Sequence, residues 1–222
     1  MTSHRLRLFV DRLAAKAAFA APLAAANRVF YVTDGMATLA TPAAVATLAP
    51  NSAFYSGRTA DVAAGAEGAG LLRYELVTAG TTDDGIAADD GVSSELLLEA
   101  ELELAAGAAY LMRCDRVDIP PGGTAYTHTH QGPGIRCLLK GGFNVEVHGE
   151  TKSIAPGEAW FEAGPDAVLA WAGEDAPGNF SRVMILPRAL KGKSSLCYVN
   201  PEDADKPKPQ KYTIFIDRFI DI

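Results

Sequence analysis

The stretch YVTDG at residues 31–35 returns in outline as CLLKG at residues 137–141, 106 positions further on. LAPNSAFY at 48–55 and IAPGEAWF at 154–161 are separated by the same 106 positions. Gly35 falls on Gly141, Pro50 on Pro156 and Ala53 on Ala159, while Phe54 meets Trp160 and Tyr55 meets Phe161. A fixed interval that keeps turn residues and an aromatic pair in step is the mark of a duplicated supersecondary unit. The unit is β in character. RVFYVTDGMATLA (28–40) and IRCLLKGGFNVEVHGE (135–150) each read as a β run, a glycine turn and a second β run.

The flanking segments fit around these two copies. HRLRLFVDRLAAKAAFAAPLAAAN (4–27) is basic and then alanine-rich, the order of a secretory leader, but Asp11, Arg12 and Lys16 interrupt its apolar part. It is expected to form an amphipathic helix over residues 6–20, with Leu8, Phe9, Leu13 and Phe19 near one face and Pro22 ending it. TTDDGIAADDGVSS (81–94) is acidic and aperiodic, and reads as a linker. Beyond it Glu99, Glu101 and Glu103 alternate with Ala100, Leu102 and Leu104, the pattern of a half-buried strand, with a helix as the alternative. The connector NPEDADKPKPQ leads to a last strand, KYTIFIDRFIDI, whose apolar residues need a partner in the other unit or in a second subunit. The expected division is a first unit over 1–94 and a second over 95–222.

Composition narrows the class of function. The chain has 222 residues, 48% hydrophobic and 21% charged, enough for a sizeable core. Its net charge of -7 argues against nucleic acid, whose phosphates call for basic patches, and against anionic membrane surfaces. No run approaches the ~18 apolar residues of a membrane span. The three cysteines, Cys114, Cys137 and Cys197, are widely spaced and form no disulfide framework, so reduced thiols in a cytoplasmic protein are expected.

Chemistry concentrates in DIPPGGTAYTHTHQGPGIRCLLKGG (118–142). On a strand Tyr126, His128 and His130 share one face, because side chains alternate with period two. Two imidazoles so placed can converge on one ion, and imidazole suits zinc, iron, nickel, copper and manganese alike. Arg136 has the parity of Gly134 and Leu138. It reads as a clamp for a carboxylate or other oxyanion, or as a salt-bridged arginine.

The order Gly123, His128-x-His130, a glycine turn, a strand ending in Gly141 and then APGEAWFEAG resembles the two motifs of the cupin superfamily. His-x-His with its returning strand matches the first motif; Pro156, Gly157, Glu158 and Gly164 match the frame of the second. The resemblance covers residues 118–186 well and, through the repeat, 28–76 weakly. It implies an all-β, cupin-like antiparallel barrel or jelly roll, in bicupin form, with the site in the barrel mouth. It also implies that Arg136 and Leu138 face the interior. The ligand set departs from the family's. Gly134 stands where a glutamate is usual, and a residue near Ala167 stands where a third histidine is usual. Glu162 and Gln131 are the candidates to complete the shell around His128 and His130, Glu162 being either a ligand or a solvent-facing residue at a strand end. Counting back 106 positions from the histidines gives Pro22 and Ala24, so the first unit is expected to be a degenerate copy without a site.

Two readings follow. In one, a divalent ion (Fe, Mn, Ni or Zn) serves an oxygenase, such as a dioxygenase, or a metal-assisted lyase or isomerase. Its substrate is a small carboxylated molecule, oriented by Arg136 and hydrogen-bonded by Tyr126. In the other, the cavity binds or senses a small molecule without catalysis and the metal site has decayed. A homo-oligomer, a dimer, is expected in either.

Overall fold

The computed structural model describes residues 1–81 and 91–222, so most of the expected linker lies outside the described residues. The chain forms two units, Met1–Ala108 (with Ile222) and Ala109–Asp221. Among the described residues there are strands and two short 3-10 turns, but no α-helix.

The expected N-terminal helix is instead a strand. β1 (Thr2–Leu13) pairs antiparallel with both β5 (Asp61–Thr78) and β6 (Val92–Leu104). RLRLFVDRL alternates with period two: Leu6 and Leu8 are buried on one face, and Arg7, Phe9, Asp11 and Leu13 on the other. Burial on both faces hides the alternation, because Arg7 and Asp11 are charged yet lie inside. Pro22 ends no helix; its neighbour Leu23 is bridged to Ala60. β6 contains the expected Glu/Leu alternation, with Leu102 and Leu104 buried. Because it pairs along β1, the division between units falls after Ala108 rather than after residue 94.

In the first unit β3 (Ala44–Leu48), β2 (Asn27–Thr41), β5, β1 and β6 lie in that order, and β4 (Ala53–Ser56) also pairs with β2. In the second unit β11 (Glu150–Ile154), β10 (Phe143–Val147), β13 (Val168–Ala172), β8 (Thr124–His130) and β15 (Leu196–Tyr198) make one sheet. The other contains β12 (Ala159–Glu162), β9 (Gly134–Lys140), β14 (Gly178–Pro187), β7 (Tyr110–Ile119) and β16 (Lys211–Ile220).

The repeat survives in the strand register. Tyr31 pairs with Ala53 as Cys137 pairs with Ala159, and Phe30 with Phe54 as Arg136 with Trp160. Gly35 and Gly141 both bend the chain at positive φ, +63° and +79°, which a Cβ would resist. In the first copy the chain stays in one long bulged strand, β2; in the second it breaks into β9 and β10. Each unit has its own core. Phe30, Val32, Leu39 and Leu71 anchor the first; Phe143, Trp160 and Phe180, with ring centroids 5.1–5.6 Å apart, anchor the second. The C-terminal strand β16 finds its partner in β7 of its own unit.

Candidate metal centre

β8 presents His128 and His130 on one face, both buried, with ring centroids 4.9 Å apart. The turn after β12 crosses the end of β8: His130 N–H donates to Gly164 O at 2.7 Å. A Cβ on Gly164 would lie 2.8 Å from Gly132 C, so only a glycine lets the two turns meet this closely. That contact sets Glu162, the last residue of β12, beside His130. One ligand atom each from His128, His130 and Glu162 falls within 4.8 Å of the others, all three residues being buried.

The missing carboxylate at 134 has a steric reason. A Cβ on Gly134 would sit 2.6 Å from Val183 O and 2.7 Å from Met184 Cγ, so the position admits no side chain. Its direct cross-strand neighbour in the β12–β9 ladder is Glu162. The carboxylate thus enters one strand over. The expected site of the third imidazole, near Ala167, is exposed; Val168 follows and pairs with His128.

Each polar atom of the cluster has an identifiable partner or lacks one. Glu162 Oε1 accepts from the Trp160 indole N–H at 2.9 Å. Glu162 Oε2 lies 2.6 Å from Arg136 Nη2 and 3.4 Å from His130 Nε2, yet is buried without an aligned hydrogen bond. Arg136 is itself buried and donates from Nη1 to Gly134 O at 2.7 Å. Next to it Arg182 grips Asp115 by two bonds of 2.7 and 3.0 Å. Burial opposes the charge on Arg182, but the Asp115 carboxylate outweighs it and holds the guanidinium protonated. Burial, reinforced by the Arg136 and Arg182 cations, pushes the His130 pKa far down; burial also lowers that of His128. Both imidazoles are therefore neutral at pH 7 with a lone pair to offer.

The donor set, two neutral imidazole nitrogens and one carboxylate oxygen without an aligned donor, fits a divalent ion. Of the other expected residues, Arg136 lies against Glu162 and inside, as its parity suggested. Tyr126 does not keep the histidines' face: the register of β8 shifts by one residue between Ala125 and His128, so Ala125 turns inward, and the half-buried Tyr126 has the Lys206 ammonium 4.7 Å from its ring centroid. Gln131 is outside the cluster: it is exposed, and only its backbone N–H is engaged, on Ser195 O. A strand alternates, so the residue after His130 points away from it.

Several residues escaped the sequence reading. An arginine inside the apolar run NFSRVMILP was a visible signal for buried Arg182, while Asp115 and Ser195 carried none. Tyr198, directly across the ladder from His128, and Tyr212, whose ring faces Arg182 at 5.5 Å, also belong to this end of the unit.

No protein-family model matches the sequence, and no curated protein matches it either. Solved structures do. A variant of oxalate decarboxylase from Bacillus subtilis superposes with a TM-score of 0.65 at 12% identity, over 90% of this chain and 73% of that one. AerE from Microcystis aeruginosa gives 0.59 at 11% identity, over 84% and 88%. A Pseudomonas aeruginosa protein described as glyoxylate-induced gives 0.57 at 12% identity, over 82% and 74%. These are cupin-fold proteins, and the chain has the cupin fold.

Proposed function

We propose that this chain is a bicupin with one metal centre, in the second unit, and that it acts on a small carboxylated molecule as an oxygenase, lyase or isomerase. The observation that carries the reading is the buried convergence of His128, His130 and Glu162 within 4.8 Å. A divalent ion held there supplies a Lewis acid, or a place for dioxygen, that the side chains lack. Among the similar structures is a B. subtilis oxalate decarboxylase with Mn(II) centres. This supports a divalent metal without choosing among Fe, Mn, Ni and Zn.

The chain's own residues supply the rest. With both imidazoles neutral, the charges of Arg136 and Arg182 balance those of Glu162 and Asp115, so a divalent ion leaves the layer cationic and favours an anionic ligand. Arg136, in contact with Glu162, is the candidate to orient a carboxylate. A dimer is supported by the edge strand β16, which leaves Tyr212 and Ile214 exposed. The free, buried Cys114 and Cys137 support a reducing, cytoplasmic setting. Among the described residues no helix is long and apolar enough to cross a membrane.

One observation favours a non-catalytic binding or sensing protein instead: Arg136 already lies 2.6 Å from the Glu162 oxygen and neutralises it. Elemental analysis of protein grown with ample metals separates the two. About one ion per chain, lost in the double variant His128→Ala, His130→Ala, supports the metal centre. Metal-free protein under those conditions overturns it and leaves the binding reading.

A further inference from the structure

We propose that Ser195, on the strap between β14 and β15, is a positioning residue that fixes the tautomer of His130 and so aims its Nε2 lone pair at the metal position. The inference rests on the metal-centre reading for its purpose, but its geometry stands alone. Ser195 is buried, and its Oγ lies 3.3 Å from His130 Nδ1. The hydroxyl has one proton to give, and Met184 Sδ, 3.7 Å away, is within reach to take it. With the proton on that side the oxygen accepts, Nδ1 carries the ring proton and Nε2 is bare. The opposite tautomer would put a proton on the nitrogen facing Glu162, where an ion would have to bind.

His128 reaches the same state by another route. Its Nδ1 lies 2.7 Å from the carbonyl oxygen of Tyr126, which can only accept. Both imidazoles therefore present Nε2 as a bare ligand, one fixed from within its strand and one from a strap 65 residues away.

The strap is held firmly enough to do this. Gln131 N–H donates to Ser195 O at 2.9 Å, and Leu196 pairs with His130 in the ladder, so the backbone is tied on both sides of the contact. Upstream, Arg113 donates to Leu190 O and Lys193 O, each at 2.7 Å, and is itself held by Asp217. Asp217 also accepts from Gly192 N–H at 2.8 Å.

The test is imidazole nitrogen NMR on the metal-free full chain, with and without Ser195→Ala, followed by zinc titration of both. We expect His130 to show a protonated Nδ1 and a bare Nε2 in the parent protein. Ser195→Ala should shift it to a tautomer mixture, with His128 unchanged as internal control, and weaken zinc about tenfold or more. Met184→Leu, which frees the hydroxyl to turn toward Nδ1, should produce a smaller shift of the same kind. A protonated Nε2 in the parent protein, or a His130 signature untouched by Ser195→Ala, overturns the proposal. If the signature switches but neither protein takes up zinc, the role of Ser195 in setting the tautomer is upheld and the metal centre is what fails.

Discussion

Both units bury a layer of charge inside a β fold, and they use it in opposite ways. In the first, Asp11 accepts from Arg73 through both oxygens and from Ser94 as well. Glu75 takes Arg28 at 2.6 Å and Arg73 on the same oxygen, while Arg7 lies 3.8 Å from the other. Burial alone would raise the Glu75 pKa, but the two arginines reverse it and hold the carboxyl ionised. Both carboxylates of this network are matched by arginines. In the second unit the charges at Asp115 and Arg182 are matched in the same manner, yet two neutral imidazoles and one Glu162 oxygen without an aligned hydrogen bond are left facing one another. At the repeat interval Ser56 stands where Glu162 does, Phe30 where Arg136 does, and Arg28 where Gly134 does. The cross-strand partner of His128 is Val168, and the same interval leads from Val168 to the buried Val62 and from the two histidines to Pro22 and Ala24. So the apolar position is kept, and the imidazoles are absent. On a strand register that the two units share, a handful of side chains separates paired charge in the first from converging donor atoms in the second.

The comparison breaks first at Glu75. Glu75→Gln should cost about 3–5 kcal/mol in denaturant unfolding, because buried guanidinium groups lose their countercharge. A loss below ~1 kcal/mol would mean that the first unit's network is not holding that unit together.

Acid should act chiefly on the second unit. The native pKa values of His128 and His130 lie below the ordinary value of 6.5, so the unfolded chain takes up their protons first as the pH falls. Stability contributed by these residues is intact above that value and is lost below it, by up to about 1.4 kcal/mol per pH unit for each histidine. Unfolding free energies between roughly pH 6.5 and 5 should fall more steeply in the parent chain than in the His128→Ala, His130→Ala variant. Equal slopes would remove the histidines from the account.

The smallest effect belongs to the surface. Arg5 and Glu99 form a 3.2 Å pair across β1 and β6 with both side chains partly exposed. Glu99→Ala should shift stability by no more than about 1 kcal/mol, the range of a solvent-screened pair. A larger loss would show that the charges of the first unit are coupled from surface to interior.

The site was legible in the sequence to the extent that it is local. His128 and His130 share a face because strands alternate, and Arg136 and Leu138 were expected inside from the motif they sit in. Glu162 was visible only as one of two candidates, since nothing in a linear chain says that it will pair with Gly134. Gln131 looked equivalent on paper and was excluded by the same alternation that placed the histidines. The N-terminal segment misled because charge inside a protein looks like charge outside it. Arg7 and Asp11 made RLRLFVDRL read as an amphipathic helix, when their partners Glu75 and Arg73 lie more than 60 residues away.

By itself the sequence determined the period-two pattern of the strands beyond the N-terminal segment, the 106-residue repeat and the imidazole pair. The tertiary structure decided which strands pair and hence which distant groups meet. It set Glu162 against His130, Arg182 on Asp115 and Ser195 on the far side of the imidazole. The physical reason is that a β-ladder's partner is chosen by packing and register across the whole sheet, and no local pattern encodes it.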